Sequence, residues 1–378
     1  NTDVSADITC IEESESIMTE VAPDVVINLI ALSDVDECEI DPEKAHTLAI
    51  QSLKFNLVSN VFDENKNDPI FKTQIFGKNL SNPIGIAAGF DKNAEVYNPL
   101  FKLGFGFVEV GTVTPLKQYG NEKPRVFRLV EDQALINRLG FNNQGSETIL
   151  NRIKSNKKIG ILGVNVGPNK DSDNRLNDYL IGLEKFYEVA DYITINISSP
   201  NTENLRNFHD ENKLKELLKS IKDKKNELKT NIPIVVKISP DIVLKQIELI
   251  SEILLENEIS AIIISNTSDS TRDDLKNIQR HQKGGLSGKP IEQKSNLLIN
   301  QFFKLLNGRI KIIGVGGIDS GKSAHDKFLS GADCIQLYTG MVFQGPNIAA
   351  NIKKDLKELL LRDGVKNISE IVGNKTVS

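Results

Sequence analysis

Residues 159–166 read IGILGVNV, and residues 192–198 read YITINIS. Each stretch is a short run of mostly apolar and β-branched residues with an asparagine close to its end. Runs of this kind are typical of strands buried on both faces of a parallel sheet. A helical stretch separates the two runs, so the sequence predicts an α/β protein with crossover helices.

Six similar runs extend this pattern along the chain, and from residue 84 to residue 339 the eight span 256 residues. That length is close to the ~250 residues of a (β/α)8 TIM barrel, which is the predicted fold. An open doubly wound sheet is the alternative, but the chain lacks an early GxGxxG fingerprint. The eight predicted strands are residues 84–88, 107–112, 159–166, 192–198, 234–239, 261–267, 311–317 and 334–339.

The composition is that of an ordinary globular protein, with 378 residues, 39% apolar and 26% charged. Three cysteines are too few for a disulfide framework and favour a reducing compartment. The apolar run VVINLIAL at residues 25–32 is far shorter than the roughly 20 residues that span a bilayer. Because the sequence has no HExxH, CxxC or calcium-loop motif, we expect no metal site.

Charge is distributed unevenly along the chain. Residues 1–43 carry thirteen acidic residues and no Lys or Arg, whereas the remainder carries 46 basic and 38 acidic residues. A basic body favours anionic small molecules or a cofactor that bears a phosphate. Its Lys and Arg residues are dispersed rather than striped, so we expect no nucleic-acid partner.

The organisation predicted from these patterns has three parts. Residues 1–15 form a flexible acidic tail. Residues 16–60 form a small N-terminal helical extension, with one helix at 17–32 and a clearer one at 42–57 that starts at Pro42. Residues 61–378 form the barrel.

Polar residues gather where the predicted strands end, which is where function is placed in a barrel. Asparagine is prominent, and its amide offers both a donor and an acceptor to the edge of a planar ring such as an imide or pyrimidine. The alternative is that these asparagines only cap helices or fill turns. The six residues concerned are Asn137, Asn142, Asn165, Asn196, Asn201 and Asn266.

Glycine-bearing loops follow the last three predicted strands, at residues 284–288, 316–317 and 338–340. Their backbone amides are suited to a phosphate, which barrels commonly bind after strands seven and eight. Lys237 lies inside the fifth predicted strand and points either into the barrel mouth or into its core. It would hold the edge of a reduced flavin or form a Schiff base, and the residues alone do not choose between these roles.

An ordered series of segments resembles the dihydroorotate dehydrogenase family over residues 82–346. The resemblance implies an oxidoreductase that holds one FMN per chain and oxidises dihydroorotate to orotate in pyrimidine biosynthesis. The matching segments are NPIGIAAGFDKNAE, GFGFVEVGTVTP, KPRVFRL, INRLGFNN, GVNVGPNKD, NISSPNT, VKISPD, ISNTS, GGLSGKP, IIGVGGI and QLYT.

The resemblance also implies roles for individual residues. Ser199 would be the catalytic base, which takes a proton from C5 of the substrate through a relay by way of Thr202 and water over Phe141, because a serine hydroxyl is too weak a base to act alone. Ser199 as a plain turn residue before Pro200 is the alternative. The FMN-binding residues would be Ala87, Ala88, Gly89, Thr112, Asn165, Lys237, Ser287, Gly288, Gly316, Gly317, Tyr338 and Thr339. The substrate-binding residues would be Lys92, Asn137, Asn142, Asn196, Asn201, Asn266 and Thr267.

A serine base, rather than a cysteine, resembles the quinone-reducing and membrane-associated class of this family. A ubiquinone-type quinone would then contact His46, Arg128 and Tyr338, although His46 fits a surface-helix role equally well. The N-terminal helices would touch the membrane peripherally, at the bacterial cytoplasmic membrane or the mitochondrial inner membrane. The oligomeric state is left open, with a monomer favoured. The acidic leader departs from the basic sequence that an anionic membrane favours.

Three other functions fit parts of the sequence. Another FMN barrel acting on a related ring would share the cofactor loops, a Schiff-base lyase would use Lys237, and a silent binding module would keep the barrel without turnover.

Overall fold

The structure is a computed structural model that describes residues 41–55, 68–202, 205–270 and 272–374. Eight of its strands form a closed parallel barrel in the order β3, β4, β7, β8, β9, β10, β12 and β13, with β13 pairing to β3. In chain order the described strands are β1 Thr73–Ile75, β2 Lys78–Leu80, β3 Ile84–Ile86, β4 Phe107–Val113, β5 Val126–Leu129, β6 Ala134–Asn137, β7 Ile161–Val166, β8 Tyr192–Asn196, β9 Ile234–Ile238, β10 Ala261–Ile264, β11 Gly285–Gly288, β12 Lys311–Val315 and β13 Cys334–Leu337.

The barrel confirms the predicted fold, and each of the eight predicted strands is present. Most are shorter than predicted at their carboxyl ends. The clearest case is β10, which stops at Ile264 instead of residue 267. There the backbone leaves the sheet and turns into the loops that carry the polar side chains.

Helices surround the barrel and bury one apolar face each against the strands. In the helix Glu211–Glu227 the buried face consists of Leu214, Leu217, Leu218 and Ile221. The described α-helices are α1 Pro42–Lys54, α2 Tyr97–Lys102, α3 Ser146–Ser155, α4 Arg175–Phe186, α5 Glu211–Glu227, α6 Leu244–Glu256, α7 Glu292–Leu306, α8 Gly321–Leu329, α9 Thr339–Gln344 and α10 Ile348–Arg362.

A hairpin that the sequence analysis did not predict closes the amino-terminal end of the barrel. Strands β1 and β2 are antiparallel and are joined by Phe76 and Gly77, which both have positive φ angles, of 52° and 72°. This is the conformation that tight hairpin turns prefer. Ile75 and Leu80 share a cluster with Phe107 and Cys334, the first residues of their strands, and the Phe76 ring lies 5.2 Å from that of Tyr192. The hairpin is therefore the floor of the barrel.

A second small sheet stands at the opposite end. It is antiparallel, in the order β11, β6, β5, and it has its own apolar cluster around Phe127, Ile136 and Leu286. Asn137 ends β6, and Ser287 lies within β11. This sheet brings residues from two distant loops to the mouth of the barrel.

Helix α1 packs on the barrel through Ile50 and Leu53, which join the main core. Asp41 caps it by accepting hydrogen bonds from the backbone N–H groups of Glu43 and Lys44, and Pro42 occupies its first turn. The helix predicted at 42–57 is present over Pro42–Lys54, and residues 56–57 lie outside the described residues. The predicted tail at 1–15 and helix at 17–32 lie outside them, and the predicted boundaries at residues 15 and 60 stay predictions. None of the described helices combines the length and the hydropathy needed to cross a membrane.

Candidate active site

Two cavities open at the carboxyl ends of the barrel strands. The first has an empty volume of about 690 Å³ and the second of about 630 Å³, in both cases including space open to solvent. They adjoin, because six residues line both: Ala88, Asn137, Lys237, Asn266, Thr267 and Tyr338. A ligand in one cavity therefore lies against a ligand in the other.

Part of the wall of the first cavity is backbone in a conformation, and at a closeness to its neighbours, that only glycine permits. Gly316 and Gly317 have φ angles of +115° and +76°, and a Cβ on Gly317 would come within 2.3 Å of the Glu292 Cβ. Gly288, at φ +97°, would place a Cβ 2.3 Å from a backbone oxygen. Such loops expose amide N–H groups to a ligand, which suits a phosphate.

Most residues predicted to bind FMN line these cavities. The first is lined by Ala87, Ala88, Lys237, Ser287, Gly288, Gly316, Gly317, Tyr338 and Thr339, and the second also by Gly89 and Thr112. The Thr339 hydroxyl donates to the Ser287 hydroxyl at 2.8 Å, which joins the two loops. Asn165 lines neither cavity. It lies behind Thr112, whose hydroxyl donates to the Asn165 Oδ1 at 2.6 Å.

All residues predicted to bind substrate line the second cavity, namely Lys92, Asn137, Asn142, Asn196, Asn201, Asn266 and Thr267. The Asn142 Oδ1 is buried and has no hydrogen-bond partner among the described residues. The Asn201 side-chain amide donates to the Asn137 carbonyl oxygen at 3.0 Å. The cavity wall thus combines amides fixed by neighbours with one acceptor left for a ligand.

Two of these asparagines also support the backbone turn. The Asn196 Oδ1 accepts from the Ser198 backbone N–H at 3.2 Å, and the Asn266 Nδ2 donates to the Ser198 Oγ at 2.9 Å. From the sequence, these asparagines either contact a ligand or support a turn. In the structure the same residues line the cavity and also support a turn.

Ser199 lies in the wall of the second cavity and is only 5% exposed. Its Oγ accepts a hydrogen bond from the Asn201 backbone N–H at 3.2 Å. The serine is thus both a turn residue and a cavity residue. Thr202 is also buried, but the relay through it stays a prediction.

Beneath the cavities lies a buried carboxylate that the sequence analysis missed. Glu109 is fully buried, and its two oxygens accept four hydrogen bonds of 2.8–3.1 Å. Its only sequence signal is a single charge in the apolar strand FVEVGTV. The donors are Asn165 Nδ2, Tyr192 Oη, Thr194 Oγ1 and Gln336 Nε2.

Two lysines enter the site. Lys237 lines both cavities, so it points into the barrel mouth. Burial lowers its pKa, and the Glu109 charge opposes that shift. Burial also lowers the pKa of Lys92 to about 8, while the Glu43 carboxylate raises it and the Arg125 guanidinium lowers it further.

The residues predicted to contact quinone lie among aromatic side chains beside the first cavity. The His46 ring lies 5.2 Å from that of Phe90 and 6.2 Å from that of Tyr338. Arg128 stacks 4.6 Å above Phe343, which lines the first cavity. His46 and Arg128 themselves line neither cavity. The sequence analysis missed Phe90 and Phe343.

The imidazole of His46 is neutral in this setting. Burial lowers its pKa to about 3, and the nearby Lys92 charge contributes to the shift. Burial also raises the pKa of Tyr338 to about 12. Across the described ranges, no three His, Cys, Asp or Glu side chains are grouped so that they would hold a metal ion.

Comparison with known proteins agrees with this architecture. A family model described as dihydroorotate dehydrogenase matches residues 70–360. The chain is 44% identical over 333 residues to a dihydroorotate dehydrogenase (quinone) of Bartonella henselae, covering 87% of this chain and 91% of that protein. It is 43% identical over 336 residues to one of Agrobacterium fabrum, covering 88% and 92%.

The fold also matches solved structures. A crystal structure of DHODH from Eimeria tenella in complex with ferulenol has a TM-score of 0.85 and 34% identity, covering 89% of this chain and 96% of that one. These findings confirm the resemblance and the quinone-dependent class deduced from the serine. The chain belongs to the dihydroorotate dehydrogenase family, as a member of its FMN-containing, quinone-dependent class.

Proposed function

We propose that this protein oxidises dihydroorotate to orotate in the second cavity and passes the electrons through FMN to a quinone. The observation that carries the proposal is the junction of the two cavities. The first cavity has a phosphate cradle, by which we mean the backbone of Gly288, Gly316 and Gly317. The second has an amide-rich wall with a serine, and six residues are common to both. The family to which the chain belongs supports the same reaction.

The first cavity fits FMN. The glycine loop at residues 316–317 and the backbone of Gly288 supply N–H groups for the phosphate, where any larger residue would collide with neighbouring atoms. Small residues at 87–89 leave space for a flat ring beside Tyr338. FMN supplies a ring that accepts a hydride and later releases the electrons to the quinone.

Lysine and asparagine side chains hold the substrate in the second cavity. Lys92 carries the positive charge that attracts the substrate carboxylate. The Asn142 Oδ1, unpartnered among the described residues, is free to accept from a ring N–H. Asn137, Asn196, Asn201, Asn266 and Thr267 supply the remaining polar contacts around the ring.

Ser199 takes the proton from C5 of dihydroorotate while the hydride leaves C6. Its Oγ already accepts one hydrogen bond, from the Asn201 N–H, which orients the oxygen. Thr202 and water over Phe141 carry the proton onward, because serine alone holds it too weakly. Lys237 lies at the junction of the cavities, where it would hold the edge of the flavin.

His46, Arg128 and Tyr338 form the quinone contact. His46 is uncharged and its ring already makes a hydrogen bond to the Phe90 backbone, so it would meet the quinone as a neutral ring rather than as a charge. Arg128 has a buried Nε without a partner among the described residues, which leaves a donor for a quinone oxygen.

Quinones reside in membranes, so the protein meets one peripherally through its N-terminal segment, at the bacterial cytoplasmic membrane or the mitochondrial inner membrane. We further propose that it acts as a monomer.

The test is the visible spectrum of the purified protein under anaerobic conditions. We expect a yellow protein that loses its flavin absorbance when dihydroorotate is added and regains it with a soluble quinone analogue. A colourless protein that borohydride traps with a carbonyl substrate would instead support a Schiff base on Lys237. Flavin that stays oxidised with dihydroorotate would support another FMN barrel reaction or a silent binding module.

A further inference from the structure

A buried lysine that the proposed mechanism does not use lies behind the phosphate cradle. Lys327, on α8, is 0% exposed. Its Nζ donates to the Ser295 Oγ at 3.0 Å. Among the described residues no carboxylate lies within the 4.0 Å of an ion pair. A buried ammonium with only a neutral hydroxyl for a partner is costly and calls for an anion nearby.

The environment of this lysine leads directly to the glycine loop. Ser295 in turn donates to the Val315 carbonyl oxygen at 2.6 Å, and Val315 immediately precedes the loop. A Cβ on Gly316 would lie 3.3 Å from the Ser295 Cβ, so the two are in contact. Lys327 is therefore separated from the cradle by a single side chain.

Nearby charges do not remove the need for an anion. The carboxylates of Glu292 and Asp326 act on Lys327 from beyond ion-pair distance, yet burial still lowers its pKa to about 7. A phosphate that carries close to two negative charges would favour the protonated lysine much more strongly.

We propose that Lys327 supplies the positive charge that holds the FMN phosphate, acting from behind the Gly316–Gly317 loop through Ser295. It is a positioning residue, since it does not line the cavity. This proposal rests on the proposed FMN site and adds a buried positive charge to a cavity whose charged lining residues are Lys237, Lys289 and Asp319.

Riboflavin provides the test, because it has the ring of FMN without the phosphate. The full-length protein is stripped of flavin, and dissociation constants for FMN and riboflavin are measured by fluorescence quenching. We expect Lys327→Met to weaken FMN binding by about tenfold or more, because the charge interaction is lost. The same variant should change riboflavin binding by less than about threefold, since riboflavin lacks the phosphate.

The chain contains a matched control. Lys353, on α10, is also 0% exposed, and its Nζ donates to the Gly104 carbonyl oxygen at 3.3 Å, away from both cavities. Lys353→Met should therefore leave the ratio of the riboflavin to the FMN dissociation constant unchanged. The proposal is overturned if Lys327→Met weakens the binding of both flavins equally, or if Lys353→Met lowers this ratio as much as Lys327→Met does.

A second variant covers the case in which Lys327→Met does not fold. Ser295→Ala keeps the lysine but removes its link to the loop, so the preference for FMN over riboflavin should fall, and an unchanged preference would overturn the proposal. A wild-type protein that binds neither flavin would refute the FMN site itself. A wild-type protein that binds FMN, with variants that keep the preference for FMN over riboflavin, would refute only the role of Lys327.

Discussion

Arg125 holds the Glu43 carboxylate with two hydrogen bonds, of 2.6 and 3.0 Å, and thereby fastens helix α1 to the barrel. The pair is largely enclosed, with the Arg125 side chain 7% exposed. At the other end of the helix, Lys54 and Glu95 form a more exposed pair at 2.6 Å. The stronger attachment therefore lies one turn from His46, on the side of the catalytic site.

We predict that Glu43→Gln raises the KM for quinone on the order of tenfold, because a buried charge-assisted pair contributes more than an exposed one. Dihydroorotate should still reduce the flavin, since the substrate cavity remains. Steady-state kinetics with varied quinone measure the first effect, and anaerobic stopped-flow the second. Lys54→Met is the matched control and should change the KM little. Equal effects of the two variants would contradict the stronger attachment that we assign to Glu43.

Orotate binding should weaken as the pH rises above about 8. Lys92 has a pKa of about 8 in the ligand-free site, so below that pH it is charged and attracts the carboxylate. Above it, binding must take up a proton, and the dissociation constant should rise towards about tenfold per pH unit. Titrations of flavin absorbance with orotate between pH 6 and 9.5 measure this. Lys92→Met should bind weakly with a flat profile, and a flat wild-type profile would contradict the assignment.

Ser199→Ala should bind FMN normally but reduce it about 10²- to 10⁴-fold more slowly, which is the usual contribution of a general base. Its orotate affinity should change by only a few-fold. Ser198→Ala provides the comparison, because the Ser198 hydroxyl is held between Asn196 and Asn266. We expect Ser198→Ala to weaken orotate binding, and to slow flavin reduction less than Ser199→Ala does. Similar rates of flavin reduction in the two variants would remove Ser199 as the base.

Glu109 is predicted to stabilise the barrel beneath the site. Glu109→Leu should lower the free energy of unfolding by roughly 3–5 kcal/mol, because it leaves four buried donors unsatisfied and Lys237 without its opposing charge. Glu109→Gln should cost less, since the Gln336 amide, whose Oε1 has no partner among the described residues, can turn to accept from the new amide. Denaturant unfolding of the flavin-free proteins measures both. Equal losses would contradict the hydrogen-bond argument.

The parts of the fold that local pattern determines were predictable. Each barrel strand is a short apolar run, and the strand ends meet at one edge of a barrel, so the grouping of Asn196, Asn266 and Lys237 follows from topology. The floor hairpin was missed because its strands, TQI and KNL, have three residues each and few apolar ones. Its turn residues Phe76 and Gly77 were the available signal.

The contacts that depend on distant parts of the chain were not predictable. The Glu43–Arg125 pair joins residues 82 positions apart, and nothing local to either residue indicates its partner. Glu109 was visible as a charge within a strand, but the sequence does not say which face of the strand it occupies. The Lys327–Ser295 contact likewise joins two outer helices whose relative rotation only packing determines.

The hairpin at the base of the barrel contributes to thermal stability at a distance from the residues of the active site. Ile75, Leu80 and Phe76 pack in a cluster of barrel residues that line neither cavity. Substitutions there would alter how long the enzyme survives heating without altering its turnover. Selection for a hotter or colder habitat, or a protein engineer, therefore has a region of this molecule to change while the catalytic end stays as it is.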